Sequence, residues 1–144
     1  MRITNQFTIA VHLLVAVKYF EGREVTSGFL AGSVGTNPVI VRTVMSDLKR
    51  AGLLTSSQGK TGITLSRPLE EITFFDVYAA VDSGAEGELF HFHEPNPLCP
   101  VGRNVHAALD DRLTQVRLAM EGEMKKIYLS DVYEDVKRAI EKQS

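Results

Sequence analysis

Apolar residues in the first third of the chain recur with helical periodicity. From Asn5 to about Phe20 nearly every position is apolar, which predicts a helix buried on several sides. Asn5 can cap this helix, because an Asn side chain accepts from the first free backbone N–H groups. A short second helix is predicted from its cap, Thr26, to about Ala31, and a tight turn over residues 32–36 follows.

The third predicted helix has clear start and stop signals. Asn37 is a good N-cap, Pro38 has no N–H to lose in the first turn, and Gly52 can end the helix in the left-handed conformation. Its inner side is a narrow apolar stripe, whereas its other face is small, polar and basic, as a face in a DNA major groove must be. The stripe is Val41, Val44 and Leu48, and the opposite face is Val39, Arg42, Thr43, Ser46, Lys49 and Arg50.

A β-hairpin is predicted directly after this helix, from Leu53 to Ser66. Leu54, Ile63 and Leu65 can form its inner face, and the turn between the strands holds two glycines and one lysine. Helix, helix, turn, helix and hairpin is the order of a winged helix-turn-helix, a DNA-binding unit. A winged helix that faces a protein partner would give the same pattern, so that alternative stays open here.

The second half of the chain is predicted to be mainly helical. Thr73 and Asp76 resemble a capping box at the start of a fourth helix that ends near Val81. Residues 83–102 have no clear period and are interpreted as a loop. A final helix is predicted to start at Ser130.

The longest predicted helix runs from Arg103 to about Tyr128 and is roughly 37 Å long. Its apolar stripe has a period of about 3.67 residues, close to that of a straight helix. A domain of about 80 residues does not need so long a cover, which favours packing against a second chain; the alternative is a helix folded back on its own domain. The stripe consists of Val105, Leu109, Leu113, Val116, Met120, Met124 and Ile127.

Composition places the chain among globular proteins, with 44% hydrophobic and 24% charged residues. The longest apolar run, residues 7–17, is broken by polar residues and is far shorter than the roughly 18 residues of a membrane span. The start of the chain also lacks the pattern of an export signal. A single cysteine excludes an internal disulfide and fits a reducing compartment, so we expect a cytoplasmic protein without a membrane partner.

Charge is distributed unevenly along the chain, although the net charge is only −2. Residues 1–67 hold eight Lys and Arg against three Asp and Glu, whereas residues 68–144 hold eight against fifteen. A basic half joined to an acidic half is typical of a DNA-binding domain attached to a different module.

The region around the single cysteine is the candidate for sensing chemistry. Cys99 lies between two prolines just before the longest helix, where a helix N-terminus favours the reactive thiolate. It is therefore a candidate redox sensor, although an inert thiol remains the simpler alternative. His91, His93, Cys99 and His106 are weak metal candidates, because their spacing matches no known site. No nucleophile elbow or phosphate-binding loop supports an enzyme.

Five segments, in order, resemble the Rrf family of bacterial winged-helix transcription regulators. They are Arg2-Ile3-Thr4, residues 48–54, Gly59-x-x-Gly62, Leu65-x-Arg67-Pro68 and Ile72-Thr73-x-x-Asp76-Val77. The resemblance covers nearly the whole chain. It implies a winged helix-turn-helix with a long C-terminal dimerisation helix, acting in transcriptional regulation at a palindromic operator.

Two departures from the family pattern change what is expected. Many members have an arginine before the wing glycine, where this chain has Gln58, and a glycine pair after it, where this chain has Ile63. Lys60 must then supply the electrostatic contact of the wing. Members that bind an iron–sulfur cluster carry three cysteines before the dimer helix, and Cys99 alone cannot hold a cluster. We therefore expect no cofactor.

Together these patterns predict a mainly helical α+β protein that acts as a homodimeric repressor on double-stranded DNA. The expected parts are a winged helix-turn-helix over 1–82, a sensor or connector loop over 83–102, and dimerisation and C-terminal helices over 103–144. The effector would be a redox signal or a small molecule. The predicted DNA contacts are Thr4, Asn37, Pro38, Val39, Arg42, Thr43, Ser46, Lys49, Lys60 and Thr61.

Overall fold

The computed structural model describes residues 5–56, 62–81, 90 and 92–143, and all structural statements concern these residues. They form six α-helices, a short 3-10 helix and two antiparallel strands, which confirms the predicted fold class. In chain order the elements are α1 (Asn5–Tyr19), α2 (Ser27–Val34), α3 (Pro38–Arg50), β1 (Leu54–Ser56), β2 (Ile63–Leu65), the 3-10 helix (Leu69–Glu71), α4 (Phe74–Val81), α5 (Pro100–Met124) and α6 (Leu129–Gln143).

The hydrophobic core is built around α1, as its apolar sequence predicts. Seven of its fifteen residues are buried, and it packs against α2, α3, α4 and α6. All buried hydrophobic residues but one lie within residues 9–81, and the exception is Leu129 at the start of α6. The core therefore belongs to the predicted DNA-binding half, with α6 as its only C-terminal contributor among the described residues.

Helix α2 is longer than predicted. The Thr26 hydroxyl accepts from the Phe29 N–H at 3.0 Å, which confirms the predicted cap. The helix continues to Val34, however, so the predicted turn over residues 32–36 is wrong in its first three positions. Gly35 takes φ +74° and donates its N–H to the Ala31 carbonyl at 2.9 Å, which ends the helix there.

Residues 5–81 are called the body here, and β1 and β2 form its wing. The wing packs against the segment before α2 through a close approach of two backbones. Leu54 pairs with Leu65 across the two strands, and both Leu54 and Ile63 are buried, as predicted. The Ile63 N–H donates to the Val25 carbonyl at 2.9 Å. A Cβ on Gly62 would lie 2.2 Å from that carbonyl oxygen, so only glycine fits beside Val25.

The fourth helix begins with the predicted capping box. The Asp76 carboxylate accepts from the Thr73 N–H at 2.9 Å, and the Thr73 hydroxyl accepts from the Asp76 N–H at 3.1 Å. The two hydrogen bonds thereby satisfy the backbone N–H groups of Thr73 and Asp76, which have no partner within the helix. Helix α4 then ends at Val81, as expected.

The bounds of the last two helices differ from the prediction. Helix α5 begins at Pro100 instead of Arg103, because a proline suits the first helical turn. It ends at Met124 rather than near Tyr128, so Ile127 does not lie on it. The Ile127 carbonyl accepts from the Phe74 N–H at 2.8 Å, and this pairing holds the segment out of the helix.

Helix α6 begins at Leu129, so Ser130 is not its cap. The Leu129 N–H donates to the Ile72 carbonyl at 2.8 Å, which fixes the start of the helix against the body. The Asp131 carboxylate accepts from the Tyr128 N–H at 3.2 Å and satisfies a donor that precedes the helix. No helix among the described residues is both long enough and apolar enough to cross a membrane.

Candidate nucleic-acid interface

Helix α3 is fixed at both ends by local chemistry. The Asn37 Oδ1 accepts from the Val39 N–H at 2.8 Å, Pro38 occupies the first turn, and Gly52 has φ +79°. Val41, Val44 and Leu48 are fully buried, so the predicted inner stripe is confirmed. The helix is therefore held rigidly by its caps and by one face, which leaves the opposite face free for recognition.

The outward face of α3 is exposed along its whole length. Val39 exposes 59% of its surface, and Arg42, Thr43, Ser46 and Lys49 are all exposed. The Thr43 hydroxyl donates to the Val39 carbonyl at 3.0 Å, so its proton is used inside the helix. Its methyl group and that of Val39 are then suited to contact the methyl group of a thymine.

Arg42 lies at the junction of α2 and α3. Together with Pro38 and four small residues of α2 it lines a shallow cleft of about 320 Å³. The small residues are Ser27, Gly28, Ala31 and Gly32. Ser27 and Gly28 lie at the exposed N-terminus of α2, where free backbone N–H groups favour a phosphate. The sequence analysis did not include Ser27 and Gly28 among the candidate DNA contacts. The predicted Thr26 cap could have indicated them, because the residues after a cap form the N-terminus of the helix.

Part of the basic charge of the N-terminal half is neutralised locally. Lys18 donates to Glu21 at 3.1 Å, and this hydrogen bond raises the pKa of Lys18. Arg50 pairs with the buried Asp47 at 3.1 Å. The charge count along the sequence therefore overstates what this half can offer to DNA.

Two cations of α3 remain available at the interface. Neither Arg42 nor Lys49 forms an ion pair within the described part of the chain. Arg23, by contrast, stacks on Phe20 and Phe29 with its guanidinium 5.3 and 5.5 Å from the ring centres. Arg42 and Lys49 can therefore contact a phosphate or a base, whereas Lys18, Arg23 and Arg50 already have partners in the protein. Thr4, Lys60 and Thr61, the other predicted contacts, lie outside the described residues.

The predicted dimer stripe lies on a helix with no buried residue. Across all 25 residues of α5 none is buried, and α5 touches the body mainly through α4. Val116, in the middle of the stripe, exposes 51% of its surface. The other five stripe residues on α5 are half-buried: Val105, Leu109, Leu113, Met120 and Met124.

The candidate sensor residue Cys99 is exposed and precedes the first residue of α5. Nearby, the His106 ring nitrogen is hydrogen-bonded to the His93 carbonyl at 2.9 Å, and the ring lies 4.4 Å from that of Phe92. His106 is thus engaged with protein groups. Within the described residues no three His, Cys, Asp or Glu side chains come together as metal ligands, while His91 lies outside those residues.

These features define a class of protein. A capped helix with an exposed, polar and basic face follows a second helix after a short turn, and an antiparallel wing comes next. That is the arrangement of a winged helix-turn-helix, and the protein is a DNA-binding transcription regulator rather than an enzyme.

The chain belongs to the Rrf2 family, whose model is described as an iron-dependent transcriptional regulator and matches residues 3–135. It is 40% identical over 131 residues to YwnA of Bacillus subtilis (strain 168), an inferred HTH-type transcriptional regulator. That alignment covers 90% of this chain and 96% of YwnA.

Solved structures show the same fold. The crystal structure of an inferred DNA-binding protein, 36% identical, superposes with a TM-score of 0.71 over 88% of this chain and 97% of its own. IscR of T. potens is only 18% identical but has a TM-score of 0.68, with 96% of this chain and 90% of its own covered. The family resemblance in the sequence is thereby confirmed.

Proposed function

We propose that this regulator acts as a homodimer on a palindromic operator. The observation that carries the proposal is helix α5, which has 25 residues and an apolar stripe but no buried residue. Half-buried leucines and methionines in water are costly, and a second α5 offers the matching surface. A two-fold dimer would present two copies of α3 about 34 Å apart, one turn of DNA.

Each α3 would lie in a major groove, with Arg42 as the base contact. A guanidinium can hold guanine O6 and N7 together, and Arg42 is free of ion pairs among the described residues. Val39, Thr43 and Ser46 would add contacts of shape and methyl groups. Phosphates would be held by Thr4, Asn37, Lys49 and Lys60, together with the N-terminus of α2. Pro38 and Thr61 would be further contacts with the DNA.

We propose that the protein represses transcription and that it acts in the cytoplasm. A dimer spanning two half-sites covers about two turns of DNA, which would exclude polymerase from an overlapping promoter.

The residues present do not fit an iron–sulfur cluster, despite the description of the family model. A cluster generally takes four ligands, most of them thiolates, and this chain has Cys99 alone. His106 is already hydrogen-bonded to a carbonyl. We propose that this regulator works without a metal cofactor.

Oxidation of Cys99 is one candidate signal, supported by the exposure of the thiol beside α5. A charged adduct there would alter the position of α5 and thus the spacing of the two α3 helices. The test is operator affinity before and after hydrogen peroxide, for the native protein and Cys99→Ser. Equal responses of the two proteins would exclude Cys99 as the sensor.

The DNA interface is tested by selecting bound fragments from sheared genomic DNA and titrating the best one in gel shifts. Arg42→Ala should cost roughly 1–3 kcal/mol on the selected site and relax its sequence preference. Lys49→Ala should weaken all duplexes about equally and flatten the salt dependence. Lys126→Ala, an equally long cation on the C-terminal side of α5, is the matched control and should change neither. Native affinity in both α3 variants would contradict the interface.

A further inference from the structure

A cavity of about 450 Å³ opens between α1 and α6. Eleven residues line it, and most are apolar, including Val132, Val136 and Ile140 of α6. This volume falls within the range of about 300–1,000 Å³ that is usual for small-molecule sites. No part of the interface described above uses it.

The polar atoms of the cavity are few and lie together. His12 of α1 and Ser33 of α2 are joined by a hydrogen bond of 2.9 Å between the ring Nε2 and the hydroxyl. Both residues line the cavity, as does Thr8. An apolar cavity with a few convergent polar groups is the usual design of a site that orients a small ligand.

The lining also defines the charge of the occupant. No Lys, Arg, Asp or Glu is among the eleven lining residues. A charged ligand would lose its hydration without gaining a counter-ion, which is costly.

We propose that this cavity binds a neutral, mainly hydrocarbon or aromatic small molecule bearing one hydroxyl, carbonyl or arylamine N–H group. The polar group would bond to His12 or Ser33, and the apolar part would contact Val132, Val136 and Ile140. We infer that the bound molecule regulates DNA binding, so this part of the inference rests on the proposed function.

The cavity is placed where a ligand can influence DNA binding. Ser33 lies two residues before Gly35, which ends α2, and α3 begins at Pro38. A ligand that takes over the hydrogen bond of Ser33 removes a link between α1 and α2, and α2 sets the position of the α3 N-terminus. On its other wall α6 follows α5 directly, so the same ligand contacts the element joined to the dimer helix.

The test uses N-phenyl-1-naphthylamine, a neutral aromatic probe with one N–H group whose fluorescence rises in apolar surroundings. Val136→Trp fills the cavity from α6, where Val136 exposes 37% of its surface. Leu118→Trp, on an exposed part of α5, is the matched control. The chain has no native tryptophan, so each variant also reports energy transfer to the probe.

The expected result is saturable binding by the native protein, weakened at least about tenfold in Val136→Trp and unchanged in Leu118→Trp. Saturating probe should change the affinity for the selected DNA fragment at least about fivefold, and Ser33→Ala should reduce that change. Circular dichroism melting of each variant separates a filled cavity from a damaged fold.

Three results would overturn the inference. One is no saturable binding of the probe to the native protein, and another is equal binding by the native protein and a folded Val136→Trp. The third is a native dimer that excludes the probe while Val136→Trp is monomeric, because the cavity is then covered by a second copy. Probe binding without any change in DNA affinity would overturn the regulatory part alone. A native protein that binds no DNA fragment would instead contradict the proposed function, whatever the probe does.

Discussion

The body of the molecule and helix α5 differ in how far they bury their apolar side chains. The body, residues 5–81, buries more than half of the large apolar side chains of its helices in one core around α1. Helix α5 also has an apolar stripe, but none of its 25 residues is buried. The apolar pattern of the body is thus explained by its own fold, whereas the apolar stripe of α5 is explained by the second copy of the chain that we propose.

The difference shows how to interpret amphipathic helices in a regulator. In α3, one face is apolar and buried while the other is polar and exposed, so the exposed face is a binding surface for a polar partner. In α5 no residue is buried, and the apolar stripe stays half-buried with Val116 exposed, which favours an apolar partner. DNA matches the exposed face of α3, and a second copy of the chain is the partner that we propose for α5.

The largest effect is expected from disrupting the α5 surface. Leu113→Asp together with Met120→Asp should place two carboxylates in the proposed dimer contact and give a monomer. Operator affinity should fall roughly 10²–10⁴-fold, because the two half-sites no longer bind as one unit. Light scattering checks the mass, which for the native protein should be about twice 15.9 kDa, and gel shifts check the affinity.

The matched control places the same charges on another face of α5. Thr114→Asp with Leu118→Asp changes two exposed residues outside the stripe. This variant should remain dimeric and bind the operator like the native protein. A native mass of one chain at micromolar concentration would contradict the two-region comparison at once.

A second prediction compares one leucine from each region. Leu48→Ala removes a fully buried side chain of α3 and should lower the free energy of unfolding by about 2–5 kcal/mol. Leu118→Ala removes a side chain that exposes 55% of its surface and should change stability by less than about 0.5 kcal/mol. Urea unfolding followed by circular dichroism measures both. A comparable loss in Leu118→Ala would mean that this face of α5 is also covered.

A third prediction separates two glycines of the body. Gly52 and Gly62 both have positive φ, but a Cβ on Gly52 meets open space, whereas one on Gly62 would lie 2.2 Å from the Val25 carbonyl oxygen. Gly52→Ala should therefore cost only the conformational strain, about 1 kcal/mol. Gly62→Ala must also displace the wing and should cost about 2 kcal/mol or more. Equal costs in urea unfolding would show that the close approach to Val25 is unimportant.

Local signals in the sequence predicted the starts of α2, α3 and α4 correctly. The Asn37 cap, the Thr26 cap and the Thr73–Asp76 box involve residues two or three positions apart, so the sequence alone contains both partners. The order of elements and the inner stripe of α3 follow from the same short-range rules. These rules were sufficient for the fold class and for locating the exposed face of α3 that we propose as the DNA contact.

Features that depend on distant contacts were not predictable in this way. The segment before α6 is held by backbone bonds to Ile72 and Phe74, more than fifty residues earlier in the chain, so Ser130 was wrongly taken as a cap. The cavity between α1 and α6 arises only when the two helices meet. Such features require the tertiary structure.

The smallest effect tests the corrected start of α6 against the confirmed start of α4. Thr73→Ala removes the hydroxyl that accepts from the Asp76 N–H and should lower the free energy of unfolding by about 1 kcal/mol. Ser130→Ala changes a residue inside the first turn of α6 that caps nothing, and alanine is the better helix former, so stability should stay level or rise slightly. Urea unfolding of the two variants under the same conditions measures the difference. If Ser130→Ala loses as much stability as Thr73→Ala, Ser130 acts as a cap, and the start of α6 lies where the sequence pattern alone placed it.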